Sequence, residues 1–142
     1  MAFHNPPDAT IKEILSTPRT IAVVGCSPNP ERDSHRIAKL LQTRGHRVIP
    51  VNPGHREILG EPCYDSLRDI PEQVDMVDIF RRSEHVAPIV DEAIETGAKV
   101  VWMQLGVIDE QAATRAQHAG LTVVMDRCMG ATHGELGLGP GP

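Results

Sequence analysis

A chain of 142 residues and 15.5 kDa, 40% hydrophobic and 23% charged, has material for one buried core and not for separate cofactor and substrate domains. A net charge of −5 disfavours a general nucleic-acid backbone binder, and Phe3, Tyr64, Phe80 and Trp102 are too few rings for a single-strand stacking platform. The longest apolar run, 100–108, is broken by Gln104 and too short to cross a bilayer, and no signal peptide is legible at the amino end. Cys26, Cys63 and Cys128 form no CxxC pair, so neither a disulfide framework nor a zinc finger follows. The expectation is a cytoplasmic protein with reduced thiols, bound to neither nucleic acid nor membrane.

The first element is an amphipathic helix within 1–19, with Asp8 as its expected cap and Ile11, Ile14 and Leu15 at helical spacing. Five short runs rich in Val and Ile follow, at 20–25, 47–52, 75–80, 99–104 and 121–125. Their continuous hydrophobicity suits strands covered on both faces of a parallel sheet. Every separator is longer than the roughly ten to twelve residues a parallel crossover needs, and none suits a hairpin. Three separators carry helical apolar spacing and stop at a glycine before the next strand, at Gly45, Gly97 and Gly120. Pro88 falls in the first turn of its helix, after an irregular lead-in over 83–87. The separator 53–74 is the exception, rich in Pro and Gly, with room for a short helix around 66–70. The fold class is therefore α/β, a Rossmann-like doubly wound sheet of about five parallel strands with helices on both faces, over 20–136. The residues 137–142 read as a mobile tail.

A ligand of such a sheet lies at the carboxyl ends of its strands. The first strand ends in Gly25, Cys26 and Ser27, and a loop carrying Arg32, Ser34 and Arg36 leads into a helix whose first amides suit a phosphate. The dinucleotide fingerprint is absent, because Ser27 and Pro30 stand where glycines belong. Asn52 and Pro53 end the second strand where an NAD site usually places an acid. Both departures point to a nucleotide other than NAD, although a small NAD-binding enzyme is kept as an alternative. Phe80, Arg81 and Arg82 end the third strand, and with Arg32 and Arg36 the two arginines make a positive mouth in an acidic protein. Gln104 and Gly106 follow the fourth strand, while Trp102 and Met103 read as core. Asp126 and Arg127 read as a pair or as a cap of the sheet. Cys26 and Cys128 both sit at strand ends, with inert burial as their default reading. The seven histidines have no Ser or Cys partner at catalytic spacing, and His55, Cys63, Cys128 and His133 lack metal-ligand spacing. No catalytic or metal residue is assigned.

Six ordered blocks, IAVVGCS at 21–27, VIPVNP at 48–53, GEPCY at 60–64, VDIFRR at 77–82, VVWMQLG at 100–106 and MDRC at 125–128, resemble the stand-alone CoA-binding domain family. That family is similar to the amino-terminal CoA-binding domain of the succinyl-CoA synthetase alpha subunit. The resemblance implies a binder of coenzyme A or acyl-CoA without evident catalytic machinery. It places the CoA phosphates on 25–27, the adenosine by Asn52 and Pro53, and Phe80, Arg81 and Arg82 along the nucleotide and pantetheine. Gln104 to Gly106 then lie further along the crevice. The segment after Cys128 departs from the Lys-Ile-Glu-His-like run of many relatives, which leaves its role open. A mixed disulfide between CoA and Cys26 or Cys128 is the redox alternative, and a homodimer or a partner protein is compatible with either reading.

Overall fold

In the computed structural model, which describes residues 3–136, seven strands follow one another as β1 (Thr20–Val24), β2 (Arg47–Val51), β3 (Glu57–Ile58), β4 (Glu61–Pro62), β5 (Met76–Ile79), β6 (Val100–Met103) and β7 (Thr122–Val124). The five apolar runs become one wholly parallel sheet in the order β2-β1-β5-β6-β7, so the chain reverses its winding direction between β1 and β5. The β3–β4 hairpin, unforeseen in the Pro-rich separator, is a separate two-stranded piece, and the short helix expected at 66–70 is a single 3-10 turn at Leu67–Asp69.

Strand alternation sends successive side chains to opposite faces, and each face is covered by its own helices. Val24, Val51, Val77, Ile79, Val101 and Met103 pack with α3 (Val86–Glu95) and α4 (Glu110–His118). Ile21, Val23, Val48, Met76 and Trp102 pack on the other face with α1 (Asp8–Ser16), α2 (Asp33–Thr43) and α5 (Met129–Glu135). Trp102 and Met103 are wholly buried, as expected of core. The core is thus aliphatic around one indole, whose Nε1 donates to the Arg127 carbonyl at 2.8 Å.

Two local expectations are corrected. Asp8 does not cap α1: Pro7, with φ −58°, occupies the cap position and no side chain bonds there. Proline fixes that backbone angle in advance, and Asp8, the first helical residue, pairs instead with Arg127 at 3.3 Å. Of the two readings for Asp126 and Arg127, a mutual pair or a cap of the sheet, the mutual pair is not found among the described residues. Asp126 accepts the Gly106 amide at 2.7 Å, and Arg127 reaches Glu135 as well as Asp8. The tail expected over 137–142 lies outside the described residues.

Both sheet edges are covered at their carboxyl ends. Pro50 on β2 has no N–H to offer outward, its carbonyl accepts the Tyr64 amide at 3.1 Å, and Asn52 N donates to Tyr64 O at 2.9 Å. Beyond β7, the Asn5 side chain bonds both backbone groups of Met125, at 2.7 and 2.9 Å.

Gly25 sits where β1 turns toward α2, at φ +86°, and a Cβ built on it would lie 2.3 Å from the Phe80 carbonyl oxygen. Only glycine fits both the left-handed backbone and that approach. Gly25→Ala is expected to lower stability by more than about 2 kcal/mol, measured by denaturant unfolding.

Asp78 on β5 is fully buried. Its Oδ1 accepts from Gln104 Nε2 at 2.5 Å, while Oδ2 has no partner among the described residues. Burial pushes the carboxyl up to about 7, against the opposing pull of the Gln104 bond. The folded protein therefore holds this proton more tightly than the unfolded chain, whose carboxyl titrates near 3.8. That contribution to stability is full below the unfolded value and is lost as pH rises through about 7. Asp78→Asn is expected to flatten the fall in melting temperature between pH 5 and pH 8; an unchanged slope would refute the assignment.

Candidate functional site

The carboxyl ends of β1 and β5 meet at the winding reversal, where an open α/β sheet offers its crevice. Two cavities flank this point. The larger, about 440 Å³, lies on the α2 side. Gly25, Ser27, Arg32, Asp33, Ser34, Arg36 and Ile37 of the first loop and α2 line it, together with Phe80, Gln104, Leu105, Val107 and Cys128. The smaller, about 140 Å³, lies on the α3 side between Val24, Val51, Pro53, Leu67, Arg81, Ile89 and Glu92. Arg81 bridges the two regions, for its Cδ lies 3.0 Å from the position a Gly25 Cβ would take.

The loop over 25–36 is held by its own side chains. Ser34 Oγ accepts the Ser27 amide at 2.9 Å, Ser27 Oγ accepts the Asn29 amide at 3.1 Å, and His35 Nδ1 donates to the Ser27 carbonyl at 2.8 Å. Asn52 closes the arrangement by donating from Nδ2 to the Cys26 carbonyl at 2.9 Å. Arg32 precedes the first turn of α2, where His35 and Arg36 already donate to its carbonyl and the Asp33 and Ser34 amides are left without an intrahelical acceptor beside its guanidinium.

The sequence-selected residues divide by what they touch. Ser27, Arg32, Ser34, Arg36, Phe80 and Gln104 line the larger cavity with Gly25, whereas Pro53 and Arg81 line the smaller. Arg82 lines neither, and its one ion pair among the described residues is with Glu84, at 3.8 Å. Gly106 stands just outside, its amide held by Asp126 and its carbonyl by Ser83 Oγ. Arg36 is already paired with Asp33 and the Glu31 carbonyl, while Arg32 and Arg81 have no ion pair among the described residues. The positive mouth is therefore split between two cavities, and its uncommitted charges are Arg32 and Arg81.

Gln104 is buried, with Nε2 on Asp78 and Oε1 accepting the Met129 amide at 3.2 Å. It ties β5, β6 and α5 together beneath the larger cavity. Cys26 is also buried, below the loop. Burial foremost, then Cys63 and Asp78, push its thiol up to about 12, so the thiolate that disulfide exchange requires is disfavoured there. Cys128 lines the larger cavity. Sequence reasoning missed Asp78, Ile37, Val107 and Ser83, each an ordinary strand, helix or loop residue whose place shows only when separate strand ends converge. Among the described residues no group of His, Cys, Asp and Glu is placed to hold a metal, and no helix is long and apolar enough to cross a membrane.

The chain is 43% identical over 131 residues to YneT, an uncharacterized protein of Bacillus subtilis, covering 92% of this chain and 97% of that one. A hypothetical protein from Pyrococcus horikoshii shares the fold with a TM-score of 0.89 and 42% identity, over 98% of this chain and 100% of that one. An ADP-forming acetate–CoA ligase of Archaeoglobus fulgidus is 31% identical over 136 residues, which span 89% of this chain and 20% of the ligase. Residues 19–134 match the model of the CoA binding domain, and with a Rossmann-like sheet beneath that match the chain belongs to the CoA binding domain family.

Proposed function

We propose that this protein binds coenzyme A, free or as an acyl thioester, across the carboxyl edge of its sheet. The observation that carries the reading is the larger cavity at the winding reversal, opening over the Gly25 turn in a chain of the CoA binding domain family. The diphosphate lies against 25–27 and the first turn of α2, where the helix dipole and Arg32 favour negative charge. The adenosine lies toward Asn52, Pro53 and the smaller cavity. The pantetheine arm runs past Phe80 toward Gln104, Leu105 and Cys128, along walls that Ile37 and Val107 make apolar. Unpaired thiols at all three cysteines suit a reducing cytoplasm. A domain that spans a fifth of an acetate–CoA ligase acts here as a binding module, presenting the CoA thiol or thioester to a separate partner.

Calorimetric titration with CoA, dephospho-CoA, NAD and ATP tests the reading. CoA is expected to bind tightest, with loss of the 3′-phosphate costing about 1.5–3 kcal/mol, roughly a tenfold to 150-fold weakening. Absence of CoA binding, or an equal preference for NAD, overturns it. Arg32→Ala is expected to weaken CoA binding by about 1.5 kcal/mol, whereas Arg82→Ala changes it by about 0.5 kcal/mol or less.

A further inference from the structure

Among the described residues the two large hydrophobic side chains left exposed, Leu105 at 70% and Ile108 at 47%, stand on one loop, between β6 and α4. That loop is fastened rather than slack. Val107 N donates to the Gln104 carbonyl at 2.8 Å, Ile108 N to Ser83 Oγ at 2.9 Å, and Gly106 N to Asp126 Oδ1 at 2.7 Å. Asp126 accepts that bond from a left-handed backbone, φ +60°, which a non-glycine residue adopts at a cost. Leu105 is thus held exposed by its surroundings, and it lines the larger cavity. The lining of that cavity is divided by chemistry. Arg32, Arg36 and the serines of the first loop make one part, and Phe80, Leu105 and Val107, beyond the ends of β5 and β6, make another. The polar side chain beside the apolar part, Gln104, is engaged by Asp78 and Met129. A ligand with phosphates at one end and an aliphatic chain at the other fits this division, since a charged group gains nothing against Leu105 while an apolar one removes its surface from water.

We propose that Leu105, Val107 and Phe80 form a binding site for the acyl group of a CoA thioester, favouring an unbranched aliphatic chain longer than acetyl over free CoA and over a chain that ends in a carboxylate. The inference rests on the CoA reading, which runs the pantetheine arm toward Leu105. A protein partner would cover Leu105 from outside, whereas a chain on the CoA thiol reaches it from within the cavity that it lines. That continuity with the cavity assigns the surface to the ligand.

The test is calorimetry on the intact protein with CoA, acetyl-CoA, hexanoyl-CoA and succinyl-CoA. A fully buried methylene is worth about fourfold in affinity, so half-burial of the methylenes that hexanoyl adds to acetyl is expected to tighten binding about tenfold or more. Succinyl-CoA is expected to bind no tighter than acetyl-CoA. Leu105→Ser and Leu105→Gln are expected to bring hexanoyl-CoA within about threefold of acetyl-CoA. Because Leu105 is exposed both variants keep the fold, which an unchanged thermal midpoint checks. Equal affinities for acetyl-CoA and hexanoyl-CoA in the unaltered protein overturn the acyl site and leave the CoA reading standing. A succinyl-CoA affinity matching that of hexanoyl-CoA does the same, as does a hexanoyl preference undiminished in both variants. Failure of the unaltered protein to bind CoA or any of the thioesters overturns both.

Discussion

The approach of Gly25 to the Phe80 carbonyl is the constraint on which the site depends. β1 and β5 are neighbours, and the chain winds away from this pair in opposite directions, so their carboxyl ends alone have room above them. The two strand ends are locked in register there: Phe80 N donates to Val24 O, and Gly25 N donates to Val51 O, drawing the end of β2 into the same cluster. Any side chain at residue 25 would push the first loop off the end of β5 and separate the walls of both cavities. The same contact brings Arg81 alongside the turn, so a packing requirement of the backbone also places a cation beside the crevice.

Beneath this edge the polar groups are committed to structure. Gln104 spends its amide on Asp78 and on the first residue of α5, and Asn52 spends its own on the Cys26 carbonyl. These side chains hold the shape of the crevice from below, while the Arg32 guanidinium stands at its mouth beside the first turn of α2. A buried carboxyl with one bare oxygen, in the centre of the sheet, is an expensive way to fix that geometry. Cover on both faces of β5 is what makes the charge costly and pushes the carboxyl up to about 7, and the Gln104 bond offsets part of that cost.

Strand runs and crossover lengths made the parallel sheet legible in the sequence, since continuous Val and Ile segments separated by long helical spacers admit few other arrangements. The strand-end residues were legible for the same reason, because topology alone puts Gly25, Asn52, Phe80 and Gln104 on one edge. What the sequence concealed depended on side-chain direction. The arginines at 81 and 82 are adjacent, yet one lies along the crevice and the other points to solvent. Nothing in the pattern marked Glu92 as an inward-looking member of an otherwise polar helix surface. α5 was illegible because glycine, threonine and histidine are weak helix formers. Its docking depends instead on Met129 entering the core and on Gly130 admitting the Ile37 methyl group, whose Cδ1 would lie 2.7 Å from a Cβ there.

The covered ends of the sheet edges bear on how this protein meets other molecules. A bare edge strand recruits further strands, and an unguarded parallel sheet of this kind would be open to growth by copying itself. Here proline and the Tyr64 segment occupy one margin and Asn5 the other. Strand addition is thereby blocked at the carboxyl end of each margin. The helical faces and the rim at the carboxyl edge remain as meeting surfaces, so that whatever docks at the rim meets the loops over the crevice before it meets the sheet.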